Sequence, residues 1–156
     1  MQKRNPESLI PLIKKLEQYI QFKDKRNDKI SSSDVAWQID HSLKVINLVT
    51  EALASSDPSE YKWRFNKWRL FLFTLNYIPR GKAKAPKIVR PPEVISTEDL
   101  NKQVRSTYKN IESLKPLNEN AYFKHFVFGQ LNKDKTIQFL HLHTNHHLKI
   151  IRDILK

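Results

Sequence analysis

Residues 139–148 read Phe-Leu-His-Leu-His-Thr-Asn-His-His-Leu, and they hold four of the chain's six histidines within seven positions. The segment reads as helix. At roughly 100° per residue, His143 and His147 stack one turn apart on one face. Leu140, Ile150, Ile151 and Ile154 share that face, while His141 and His146 point to its two flanks. The pair therefore sits in the middle of an apolar stripe, where a helix meets its neighbours. Two chemistries are consistent with that position. An i, i+4 pair can set two ring nitrogens about 2.0–2.1 Å from one zinc-like ion. Alternatively, both rings are core imidazoles bonded to buried polar groups.

Working outward, the other segments also read as helices. Leu9, Ile13, Leu16 and Ile20 recur at helical spacing in a first helix over 6–22, whose prolines favour a start near Ser8. Ser31-Ser32-Ser33-Asp34 offers N-caps for a second helix over 34–54. Trp37, His41, Val45, Leu48 and Ala52 form its inner row, and Asp40, Lys44, Asn47 and Glu51 its wet face. His41 thus aims inward from a different helix. A third helix is expected over 59–77, with Tyr61, Phe65, Trp68, Leu72 and Leu75 as core and Lys62, Arg64, Lys67 and Arg69 solvated. Interleaved aromatic and basic residues can bind single-stranded nucleic acid. Helical spacing of the aromatics favours core packing instead.

The stretch 78–92 reads as an irregular connection carrying Arg80, Lys82, Lys84, Lys87 and Arg90, with no acid until Glu93. It is either a solvated linker or an anion-binding loop. Ser96 and the acids Glu98 and Asp99 open a fourth helix bearing Leu100, Val104, Tyr108, Ile111 and Leu114, which Pro116 ends. Residues 117–131 read as a second irregular stretch, and Asn132 caps a last helix over 133–155. No strand, repeat or low-complexity tract is apparent. The expectation is an all-α, single-domain antiparallel bundle over 1–156, with its core in about 31–155 and long crossover loops.

Composition narrows the function. The chain has 156 residues, no Cys and two Gly. Disulfides, thiolate catalysis and Cys-based metal sites are excluded, and Gly-rich phosphate loops are absent. Any transition-metal site must use His with carboxylate or water. The N-terminus lacks the apolar run of a signal peptide, and the longest apolar run, 70–73, is far too short to span a bilayer. A soluble cytoplasmic protein is expected. The net charge of +12 is compatible with nucleic acid, an anionic membrane surface, an acidic small substrate or plain solubility.

His41 in mid-helix, followed by His143-Thr144-Asn145-His146-His147 on the last helix, resembles the DinB-like superfamily. The Ile78-Pro79-Arg80-Gly81 turn and the segment 125–148 resemble one uncharacterised subfamily, which has a His-Pro-x-Phe-Gly motif. Here the motif reads His125-Phe126-Val127-Phe128-Gly129, without the proline. The resemblance implies a four-helix bundle, with an additional short helix here. It also implies one divalent metal ion (zinc, nickel or iron) held by His41, His143 and His147. His125 and His146 are candidates for the pocket or for contacts to the ligands.

Three neutral imidazoles would leave open positions for water or substrate, as in a catalytic site. Some relatives transfer low-molecular-weight thiols and others are hydrolase-like. The expected partner is therefore a small-molecule substrate, an acidic thiol being one candidate. No membrane partner is expected, nucleic acid is disfavoured, and a homodimer is left open. A metalloprotein without turnover is the alternative, and a nucleic-acid-binding helical protein is a more distant one.

Overall fold

Side-chain caps set most of the helix starts. The computed structural model describes residues 4–81 and 84–156, so Lys3 and Lys82 lie outside the described residues. Among these residues it has five α-helices and one small sheet. Pro6–Leu9 forms a 3-10 turn that leads into α1, Ile10–Tyr19, with proline in its first turn, where a missing N–H costs nothing. Asp34 accepts the Trp37 N–H at 2.8 Å and opens α2, Val35–Ala54. Ser96 caps α4, Thr97–Ser113, by accepting the Asp99 N–H at 3.0 Å. Asn132 caps α5, Lys133–Ile154, by accepting the Lys135 N–H at 3.1 Å. Each such cap satisfies one donor that the first helical turn leaves free.

α2 lies against both α4 and α5, and α1 packs on the same three helices. Leu9, Ile13, Leu16, Ile39, Leu43, Ile46, Leu100, Ile111, Leu140 and Ile151 are fully buried between them. At about 1.5–3 kcal/mol for each large side chain taken from water, this interior is what holds α2 beside α5. Asp40, read as part of the wet face of α2, is buried instead. Lys44 Nζ and Gln103 Nε2 each donate to its carboxylate at 2.6 Å, so its charge is compensated across the α2–α4 seam.

Two expectations are corrected. The chain is not purely all-α, because residues 117–131 contain an antiparallel hairpin of β1, Tyr122–His125, and β2, Gly129–Asn132. His125 pairs with Gly129, leaving a three-residue connection. Gly129 has φ 71°, a conformation that glycine adopts without strain. Strands of four residues are too short to print an alternating pattern on the sequence.

The second correction concerns the third helix. It is α3, Lys67–Leu75, only nine residues long, with a 3-10 turn at Pro58–Glu60 and extended backbone over 61–66 before it. Asn66 caps it by accepting the Arg69 N–H, and Asn76 ends it at φ 49°. The expected core row is turned outward, with Phe65, Trp68 and Leu75 all exposed, while Arg69 and Phe73 face inward. The physical reason is a polar anchor. The Arg69 guanidinium donates to the carbonyls of Phe128, Gln130 and Arg64, and this rotates the helix so that its basic residue points in.

The 78–92 connection is packed rather than free at one point. A 3-10 turn at Lys87–Val89 carries Val89 into the interior against α2. No helix is long and apolar enough to cross a membrane, among the residues described.

Candidate metal centre

The side-by-side packing of α2 and α5 brings His41, His143 and His147 together. One ring nitrogen from each lies within 4.8 Å of the others, an arrangement that can hold a metal ion. The ring centroids are 5.1 Å apart for His41–His143, 4.8 Å for His41–His147 and 4.6 Å for His143–His147. His41 and His147 are buried, and His143 is partly exposed as a residue although its Nδ1 is buried.

The outward bonds of these rings determine which nitrogen is available. His41 Nδ1 lies 2.9 Å from the Val89 carbonyl oxygen. A carbonyl only accepts, so Nδ1 carries the proton and Nε2 keeps its lone pair. His147 Nδ1 lies 2.7 Å from Gln38 Oε1, and the other end of that amide donates to Ser31 Oγ at 3.3 Å. His147 is therefore also protonated on Nδ1 and bare on Nε2. His143 Nδ1 is buried with no hydrogen-bond partner among the described residues. An imidazole that bonds outward through one nitrogen and leaves the other free inside is the usual state of a metal-binding histidine. The Trp37 ring stacks on His41 at 4.9 Å and 22°, which fixes its plane.

Burial lowers the pKa of all three. For His41 the bond to Val89 opposes the effect, while His143 and His147 are pushed well below the ordinary value by burial and by the neighbouring imidazoles. The cluster is neutral near pH 7, which is the protonation state that ligation requires.

The remaining histidines have other partners. His141 Nε2 is 2.8 Å from Ser8 Oγ, on the flank facing the N-terminal 3-10 turn. His146 meets His147 edge-on at 5.0 Å, and its pKa is lowered to about 4, chiefly by burial. His125 sits in an aromatic box. Phe126 and Phe128 stack on it at 4.6 and 4.4 Å, and Phe139 meets it edge-on at 4.8 Å. Its Nδ1 accepts the N–H groups of Val127 and Phe128 at 3.0 and 3.2 Å, so Nε2 carries its proton. Phe139 also touches His143 at 5.6 Å, which links this box to the cluster.

Residues 65–153 match a family described as a protein of unknown function, DUF1569, and this is more than half of the chain. The chain belongs to the DUF1569 family. The DUF1569 match includes His125, His143, His146 and His147, whereas His41 comes from α2, outside it. No curated protein and no solved structure matches the chain.

Sequence reasoning missed Gln38 and Val89. Gln38 carried a usable signal, because it lies one turn before His41 on the same helix face. Val89 acts through its carbonyl, to which its side-chain type gives no clue.

Proposed function

We propose that this DUF1569 member is a divalent-metal-binding helical protein of the DinB-like kind, with α1, α2, α4 and α5 as its four-helix bundle and His41, His143 and His147 as the ligands. One observation carries the reading. Two buried imidazoles hand their Nδ1 protons to fixed acceptors, Val89 and Gln38, and leave bare nitrogens beside the third ring. Core imidazoles bonded to buried polar groups would make the same two bonds, but they do not need a third ring nitrogen within 4.8 Å or the buried, unpartnered Nδ1 of His143. Imidazole suits zinc, nickel and iron alike, so the donor set does not choose among them.

When bound, a divalent ion on three neutral ligands supplies Lewis acidity and uncompensated positive charge for a small substrate. The protein's own groups then have definite tasks. Gln38 and Val89 orient His147 and His41, and Trp37 keeps the His41 ring from turning. His125 presents an Nε2–H donor whose direction is set by the two backbone bonds on its other nitrogen, and it is suited to an anionic group of the substrate. Arg80 fastens the 78–81 turn to α5 by donating to Asp153 at 2.7 Å. We favour a metal-dependent transferase of a low-molecular-weight thiol, or a hydrolase of a small substrate, over an ion that only ties α2 to α5. The basis is the donor set, three neutral imidazoles grouped among the described residues, whereas a purely structural site is usually closed by four ligands.

The test is metal stoichiometry across alanine variants. His41→Ala, His143→Ala and His147→Ala are each expected to lose most of the bound metal. His141→Ala and His125→Ala should retain it, because their rings are bonded elsewhere. Wild-type stoichiometry in all three ligand variants would return the cluster to ordinary core histidines. Chelator-induced unfolding without any turnover of thiol acceptors or hydrolysable esters would favour the non-catalytic reading.

A further inference from the structure

The outward face of α3 is the largest feature that the metal centre does not use. Trp68, Leu70, Phe71 and Leu75 are 54%, 59%, 56% and 53% exposed. With Lys67 and Thr74 they line one open apolar surface concavity. Trp63 and Phe65, on the extended segment just before, are exposed as well. Asn66 Nδ2 donates to the Val127 carbonyl at 2.8 Å, which draws the hairpin turn and its exposed Phe126 alongside. Isolated exposed apolar residues need no explanation, but a contiguous group of this size marks a contact surface.

Charge selects the occupant. Between residues 61 and 92 the sequence has nine Lys or Arg and no Asp or Glu. Lys62, Arg64 and Lys67, interleaved with the aromatics, are exposed. A second copy of this chain is disfavoured, because a two-fold contact sets the same patch against itself and brings like charges together. Single-stranded nucleic acid would use Trp and Phe for stacking but has no use for Leu70 and Leu75. Aromatic and aliphatic side chains flanked by Lys and Arg on a short helix suit the interface of an anionic bilayer. We propose that α3 and its flanks dock the protein peripherally on an anionic lipid surface, with Trp68, Leu70, Phe71 and Leu75 entering the headgroup–acyl boundary. The net charge leaves an anionic membrane surface open, but the sequence predicts no membrane partner, because the helical spacing assigns Trp68 and Leu75 to the core.

The test is co-sedimentation of the full chain with vesicles of phosphatidylcholine alone and of phosphatidylcholine mixed with phosphatidylglycerol. Binding is expected only to the mixed vesicles, with a blue shift of Trp fluorescence and at least tenfold weakening at high salt. A Trp68→Ser, Leu70→Ser, Phe71→Ser variant with an unchanged circular dichroism spectrum should bind at least tenfold more weakly. Lys62→Gln with Lys67→Gln, which leaves the apolar face intact, should lose part of the affinity and most of the salt dependence. Three outcomes would overturn the proposal. They are no binding to mixed vesicles, tighter binding to a single-stranded oligonucleotide than to vesicles, and self-association that the triple variant abolishes.

Discussion

Between α2 and α5, the protein keeps three imidazoles together, two of them turned to chosen partners. On α3, it keeps Trp68, Leu70, Phe71 and Leu75 more than half exposed. Both regions invert ordinary residue preference, and in both a polar anchor causes the inversion. In the first, the oxygens of Val89 and Gln38 accept hydrogen bonds from the Nδ1–H groups and offset the burial of two rings. In the second, the inward guanidinium of Arg69 collects three carbonyls and holds the apolar face out. A hydrophobic stripe therefore tells which residues share a face, and a buried polar anchor tells which way that face looks. The difference lies in what remains unsatisfied. The interior cluster leaves bare nitrogens, which fit a cation, while the outer face leaves apolar surface beside positive charge.

His125 stands between the two regions and gives the largest expected effect. Its pKa is lowered to about 4 by burial, from an ordinary value of 6.5. Above pH 7 the ring is neutral in both folded and unfolded chains and contributes no pH dependence. As the pH falls below 6.5, the unfolded chain takes up the proton first, so stability drops until about pH 4. His125→Asn keeps a side-chain acceptor for the hairpin N–H groups but cannot titrate. Wild type is therefore expected to lose up to roughly 3 kcal/mol relative to this variant across that window, read from urea unfolding at each pH. Parallel pH profiles would mean that the ring is not enclosed by its phenylalanines.

The second effect sharpens the interior half of the comparison. Gln38→Leu keeps the volume buried beside His147 but removes the acceptor for its Nδ1 proton. Loss of such an outer partner typically weakens metal binding by about 10–100-fold. Competition with a chromophoric chelator measures it. Unchanged zinc affinity would show that Gln38 serves packing alone.

How much was readable beforehand follows the same logic. Long helices with cap residues at their starts were legible, since α2, α4 and α5 begin at Asp34, Ser96 and Asn132, where their side chains accept the first free N–H groups. The meeting of His41, His143 and His147 was legible too, because apolar residues flank each of them at helical spacing. The hairpin was not, since four-residue strands carry almost no period. Nor was the rotation of α3. Its pattern of aromatics and cations fits a helix in either orientation, and the choice depends on carbonyls of residues 128 and 130, about sixty positions away in the chain.

The smallest expected effect is the one that most directly tests the outer half of the comparison. Trp68→Ser and Phe71→Ser replace large apolar side chains, a change that in a core typically costs several kcal/mol. In this structure both side chains are more than half exposed, so less than half of their area leaves water on folding. Each substitution is therefore expected to shift unfolding free energy by no more than about 0.5 kcal/mol, the range of ordinary surface changes. Leu140→Ala, at a fully buried position one turn before Thr144, serves as the reference and should cost about 2–5 kcal/mol. Urea unfolding of the three variants at one pH gives all the numbers, with the slope checked for a constant exposed area. If Trp68→Ser costs as much as Leu140→Ala, α3 is covered in the folded chain and its aromatic row is core after all. If the cost stays within the surface range while vesicle binding falls, the apolar face contributes to docking and not to folding.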